Sequence, residues 1–204
     1  VEVDGIYYNL VKKLAMVTSG DKKYTGDVVI PASISIDGVE YSVNRIASSA
    51  FYNCRNLTSV TIPESVVIIE KNAFYDCIGL TSVTIPNSVT EIGYNAFNNC
   101  QNLTSVTIPN SVTEIGYNTF RYCLRLTSVS IPNSITMINS YTFAFCESLT
   151  SVTIPNSVIT IGNNAFNRCT NLSSVTIPNS VKNVDYSAFC DCKKLTSISI
   201  TNSI

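Results

Sequence analysis

Apolar and polar residues in this chain recur with a period of 23 positions. The stretch LTSVTIPNSVTEIGYNAFNNCQN, Leu80 to Asn102, returns lightly edited along most of the sequence. Leucines fall at Leu57, Leu80, Leu103, Leu126, Leu149, Leu172 and Leu195. Phenylalanines keep step at Phe51, Phe74, Phe97, Phe120, Phe143, Phe166 and Phe189, and cysteines at Cys54, Cys77, Cys100, Cys123, Cys146, Cys169 and Cys192. A period of this size marks stacked units, each too small to bury its own apolar face. Within a unit, Leu103, Val106 and Ile108 are expected to point into a core while Thr104, Ser105 and Thr107 point out, as in a half-buried strand. Pro109 ends that strand, because proline has no N–H for the ladder, and all seven prolines occupy this column. Val112 and Ile115 mark a second short apolar segment, Gly116 permits a turn, and Ala96-Phe97 in the previous repeat shows the kind of pair that closes a coil.

The ends depart from the period. Residues 1–56 read as an N-terminal β cap merging into a divergent first repeat, residues 57–194 as six 23-residue repeats, and residues 195–204 as a partial last one, all forming one continuous domain. Asp4-Gly5 and Asp37-Gly38 sit between short apolar runs and predict two-residue hairpins, since Asp-Gly accepts the positive φ such turns need. Ser19-Gly20-Asp21 joins LAMVT to a strand near Tyr24–Ile30. The cap covers the apolar surface and strand edge that a solenoid exposes at its end. At the other end, Ser197–Ile200 is expected to be a strand open to pairing, through which self-association or continuation of the chain would proceed.

Composition adds mainly exclusions. The chain has 204 residues, 45% hydrophobic and 13% charged, with a net charge of −1 and no block of like charge. Nucleic acid and anionic membrane are therefore poor electrostatic partners. No apolar run approaches the roughly 20 residues that span a bilayer, so membrane insertion is not expected. No basic-apolar leader opens the chain, and an export signal is presumed to lie outside this sequence. Histidine is absent, and no nucleophile or acid–base constellation stands out. The reading is of a protein that is not an enzyme, with no cofactor and no metal.

The pattern LxxVxIPxSVxxIGxxAFxxC, with DGIYYNL and GDVVIP near the start, resembles the BspA-like class of bacterial leucine-rich repeats. The resemblance covers nearly the whole chain. It implies a mostly β leucine-rich repeat solenoid: a curved right-handed coil with a concave parallel sheet, short second strands and turns on the other side, and an N-terminal β-hairpin cap. It also implies a secreted or cell-surface protein, and a non-catalytic adhesion or binding role toward host or partner protein or glycan. Where that family commonly carries an Asn ladder, the repeats of this chain have Asn-Ser after proline (Asn87-Ser88, Asn110-Ser111, Asn133-Ser134), except Glu64-Ser65, and these residues are expected to bond the turn backbone.

Two surfaces are candidates for binding. Outward strand positions form columns in which every residue carries a hydroxyl: Thr81, Ser82, Thr84; Thr104, Ser105, Thr107; Thr127, Ser128, Ser130; Thr150, Ser151, Thr153. With strands about 4.8 Å apart this is a regular hydroxyl lattice, suited to an extended polar partner. The plainer account is that Thr and Ser are good strand surface, copied with the repeat. Tyr94, Tyr117 and Tyr186 share a second column, where they either anchor a partner or cover the coil's flank. Tyr52 and Tyr75 share another, with Tyr122 and Tyr141 nearby. Glu91 and Glu114 stack in a column with Ile68 and Met137; with no pocket expected there, they read as solvated rather than as an acid–base pair. The cysteine column reads as buried free thiols, with Cys190 more exposed, rather than as disulfides or a Cys190-Asp191-Cys192 metal site. Two functions stay open: a recognition module, or a spacer that displays other domains without a ligand of its own.

Overall fold

A computed structural model describes residues 1–201, so residues 202–204 of the last partial repeat lie outside the described residues. The cap opens with β1 (Glu2–Val3), β2 (Ile6–Val11) and β3 (Leu14–Thr18), an antiparallel meander. The first hairpin turns at Asp4 and Gly5, with φ of 49° and 77°. The second turns at Lys12, φ 57°, where no glycine advertises it. β4 (Gly26–Val29) is the first strand of the solenoid's long face. β5 (Ser33–Ile36) and β6 (Val39–Ile46) form the Asp37-Gly38 hairpin inserted into the first coil. β6 also pairs in parallel with β3, so the cap extends the second face.

Each later coil contributes one strand to each of two faces. The long face continues through β7 (Leu57–Thr61), and the second face through β8 (Ile68–Ile69). The alternation then runs β9 (Ser82–Thr84), β10 (Glu91–Ile92), β11 (Ser105–Thr107), β12 (Glu114–Ile115), β13 (Ser128–Ser130), β14 (Met137–Ile138), β15 (Ser151–Thr153), β16 (Thr160–Ile161), β17 (Ser174–Pro178), β18 (Asn183–Val184) and β19 (Ser197–Thr201). Odd strands from β7 onward join β4 in one parallel sheet. Among the described residues there is no helix. The chain is a mostly β leucine-rich repeat solenoid, as its periodicity and resemblance imply.

The period becomes physical in the core. Phe51, Phe74, Phe97, Phe120, Phe143, Phe166 and Phe189 stack face to face, with ring centroids 4.8 to 5.6 Å apart. Tyr24 of the cap closes this column, 4.5 Å from Phe51. Its hydroxyl stays satisfied by donating to Thr18 O at 2.6 Å, and burial pushes its pKa up to about 12. The thiols run alongside, all free. From Cys77 to Cys192 each thiol of the column donates to a phenylalanine carbonyl of the coil before it, for example Cys100 Sγ to Phe74 O at 3.2 Å and Cys123 Sγ to Phe97 O at 3.4 Å. Burial pushes the Cys77, Cys100, Cys123 and Cys146 thiols well up, so they behave as small apolar fillers.

A third side of the coil has no strand. Residues such as Asn95 and Asn99 hold φ of 56° and 62°, and consecutive tight turns leave alternate N–H groups aimed at the next coil. Asn95, Phe97 and Asn99 donate to the carbonyls of Tyr117, Thr119 and Arg121 at 2.9, 2.9 and 2.8 Å. Asparagine tolerates this left-handed backbone better than most residues, which accounts for its recurrence four positions apart in the unit. The turn after proline is closed by bonds such as Val112 N to Pro109 O at 3.0 Å. The expected serine bond to backbone forms at Ser88, whose hydroxyl donates to Val66 O at 2.6 Å, and at Ser134, which reaches Val112 O. The hydroxyls of Ser65, Ser111, Ser157 and Ser180 are buried without a partner.

Candidate binding surfaces

The hydroxyl columns lie on the long face, with Thr81, Ser82, Thr84, Thr104, Ser105, Thr107, Thr127, Ser128, Ser130, Thr150, Ser151 and Thr153 all exposed. Adjacent coils are in register, Ser105 opposite Ser128 and Thr107 opposite Ser130. The lattice divides chemically. In its first column the hydroxyls of Thr81, Thr104 and Thr127 donate to the carbonyls of Thr58, Thr81 and Thr104 at 3.2, 3.3 and 3.1 Å. Those donors are spent inside the protein. The exposed hydroxyls of Ser82, Thr84, Ser105 and Thr107 are not engaged in this way.

The second face is shaped differently. A groove of about 750 Å³ crosses it, lined among others by Arg45, Glu70, Lys71, Glu91, Tyr94, Glu114, Tyr117 and Met137. Glu91 and Glu114 therefore stand in a depression, where the sequence pointed to a plain solvated surface. The period itself could not reveal this, because a groove depends on how far neighbouring side chains rise, not on which face they take. Tyr94 and Tyr117 are 44% and 57% exposed there. Tyr186, in the same column, is 85% exposed and stands two coils beyond the groove's last lining residue, Asn139.

At one end of the groove Arg45 meets Glu70 at 2.9 Å, and the Ser48 N–H and hydroxyl donate to the same carboxylate at 2.9 and 2.7 Å. Partial burial would raise the Glu70 pKa, but these donors outweigh it and hold the carboxyl below the usual range. At the other end the ladder splits: β12 ends one sheet and β14 begins another. Gly93, Gly116 and Gly162 donate N–H to the isoleucine carbonyl of the preceding coil, at 2.8 Å each. In that column Asn139 instead uses its side-chain amide, 2.7 Å from Ile115 O. The column is tight: a Cβ at Gly116 would lie 2.3 Å from Tyr94 N.

Tyr52 and Tyr75 stack on each other at 5.3 Å. One cluster escaped the sequence reading as a unit. Arg121 sits 4.9, 5.1 and 5.5 Å from the rings of Tyr122, Tyr141 and Phe145, and Tyr122 stacks on Phe145 at 4.3 Å. Three of these hold left-handed backbone where neighbouring coils mostly carry Asn or Asp (Tyr122 61°, Tyr141 59°, Phe145 62°). That departure from the repeat was the available signal. Cys190 is exposed, and among the described residues no group of three or more His, Cys, Asp or Glu is placed to hold a metal ion.

With this geometry in place, comparison with known proteins defines the class. The BspA type leucine rich repeat region, in six copies, matches residues 44–169 and 113–204. The chain belongs to that family. A leucine-rich repeat protein of T. pallidum is 30% identical over 96% of this chain and 90% of its own, with a TM-score of 0.84. A leucine-rich repeat protein from Eubacterium ventriosum is 25% identical over 85% of this chain and 54% of its own, with a TM-score of 0.68. A leucine rich cell surface protein from Faecalibacterium prausnitzii shares the fold, at 20% identity over 100% of this chain and 95% of its own and a TM-score of 0.60. No curated protein matches the chain.

Proposed function

We propose that this chain is a non-catalytic recognition module of an exported or cell-surface protein, and that its working surface is the groove of the second face. The observation that carries this is the groove of about 750 Å³ with Tyr94 and Tyr117 exposed along it. Tyrosine is among the residues that concentrate binding energy, because it buries a large amphipathic area at low entropic cost. The long face, by contrast, offers short hydroxyls, and one of its three columns is committed to internal bonds. The family membership and a cell-surface relative of the same fold support an exported location. The partner is a protein or glycan of a host or neighbouring cell.

A spacer without a ligand is the second reading, and the threonine hydroxyls spent on carbonyls of the preceding coil favour it for the long face. An array of extracellular proteins and glycans, probed with the whole chain, separates the two. A module captures at least one component; Tyr117→Lys abolishes that capture and Thr107→Lys on the opposite face leaves it. Capture of nothing, or capture lost only with Thr107→Lys, would overturn the groove reading.

A further inference from the structure

The groove holds a charge arrangement that the solenoid does not need. Glu91 and Glu114 are direct neighbours across parallel strands β10 and β12, in register. Like charges in that position oppose pairing. The same column includes Arg45, which is engaged by Glu70, and carries Ile68, Met137, Thr160 and Asn183 elsewhere, so the fold accepts neutral residues there. Among the described residues the ion pairs engage Glu70, Asp76 and Asp191, and neither Glu91 nor Glu114. The nearest lysine in the lining, Lys71, lies instead over the Tyr94 ring at 5.9 Å.

The tyrosines beside them are also open. Tyr52 packs on Tyr75 and Tyr122 on Phe145, but neither Tyr94 nor Tyr117 stacks on another ring among the described residues. Two carboxylates outside any ion pair, the open Tyr117 ring and a Tyr94 ring that already attracts the Lys71 ammonium lie in one depression, and together they complement a cation with flat faces. The strand spacing narrows the choice. Strands about 4.8 Å apart set the two glutamates side by side, within reach of the two edges of one guanidinium, which offers five N–H donors in a fixed plane. An ammonium is a compact point charge and satisfies such a pair less well. Guanidinium planes also lie readily on tyrosine faces.

We propose that the groove takes an arginine side chain presented by an extended polypeptide, Glu91 and Glu114 sharing its guanidinium while Tyr94 and Tyr117 cover it. Arg45 and its partner Glu70 bound the slot at one end, and Met137 offers an apolar contact for the next residue at the other. This rests on the groove being the working surface, and it names the partner's chemistry.

The test is fluorescence polarisation of a labelled Gly-Ser peptide carrying one arginine, against the same peptide with lysine or with citrulline, titrated with the whole chain. The arginine peptide binds, lysine weakens it several-fold, and neutral citrulline weakens it by about tenfold or more. Glu91→Gln with Glu114→Gln removes the arginine preference; both side chains are exposed, so the circular dichroism spectrum stays as in the parent, and relief of the like-charge contact keeps the melting temperature from falling. Added salt weakens the arginine and lysine peptides and leaves the citrulline peptide unchanged. Equal binding of arginine and citrulline, an undiminished double variant, or no binding overturns the proposal. Capture of an array component that Tyr117→Lys abolishes but the double glutamine variant retains would leave the groove reading standing and remove only this one.

Discussion

Truncation of Phe120 tests the stacked core most severely. The side chain is fully buried, with Phe97 at 5.4 Å on one side and Phe143 at 5.6 Å on the other. Phe120→Ala removes the burial of a large apolar side chain, worth about 1.5–3 kcal/mol. It also removes two stacked ring pairs, each contributing about 0.5–1.5 kcal/mol beyond burial. The sum agrees with the roughly 3–5 kcal/mol found for deleting a buried aromatic ring. Phe189 has one stacked neighbour rather than two among the described residues and is only partly buried, so Phe189→Ala should cost about half as much on the same reckoning. Equilibrium urea unfolding, followed by far-ultraviolet circular dichroism, reads both. In a solenoid, stability is close to a sum of coil and interface terms, so a central lesion weakens two interfaces and a terminal one weakens fewer. A loss below about 1 kcal/mol for Phe120→Ala, or a loss no larger than that of Phe189→Ala, would refute the reasoning.

Thiol labelling of the native chain with a water-soluble maleimide should modify Cys190 quickly and leave Cys77, Cys100, Cys123 and Cys146 untouched until denaturant is added, as peptide mass mapping would show. The lowered pKa of Glu70 means the folded chain binds fewer protons than the unfolded one just below the ordinary glutamate range. Its contribution is therefore present above that range and is lost as pH falls through the depressed value; Glu70→Gln should flatten the acid limb of a melting-temperature-against-pH profile. Asn139→Ala removes the amide that bridges the split between β12 and β14 and should cost about 1–2 kcal/mol in urea unfolding. Gly116→Ala places a methyl group against the Tyr94 backbone and should cost about 1–3 kcal/mol by the same measurement.

The parts of this molecule that were legible in the sequence are those that repeat. A leucine, a phenylalanine and a cysteine every 23 positions leave little freedom except stacked coils, and both Asp-Gly hairpins announce their own backbone. The three-residue strands β9, β11, β13 and β15 are shorter than the six-residue LTSVTI motif, although Leu and Ile at its ends are buried as expected. What the sequence obscured lies in the exceptions. The Lys12-Lys13 turn carries no glycine or asparagine. The end of β4 facing away from β7 has no strand partner in its sheet, so the cap extends only the second face. Asn139 stands where the neighbouring coils carry Gly116 and Gly162, and its side chain bridges a split ladder, which no residue count would suggest. Tyr94 and Tyr117 were singled out by their column, but the groove that joins them to Glu91 and Glu114 depends on side-chain height and coil spacing. The turn-built third side was visible only as asparagines four apart, a signal that also fits ordinary loops.

Amide hydrogen exchange, resolved by residue, tests the central claim of stacked identical coils most directly. The amides of Asn95, Phe97, Asn99, Asn118 and Phe120, which donate from one coil to the next, should be protected together. Exposed Asn87, Asn110 and Asn156, in the turns after proline, should exchange fast, so that protection rises and falls with a 23-residue period from Leu57 to Leu172. Protection scattered without that period, or fast exchange at Phe97 and Phe120, would contradict the account.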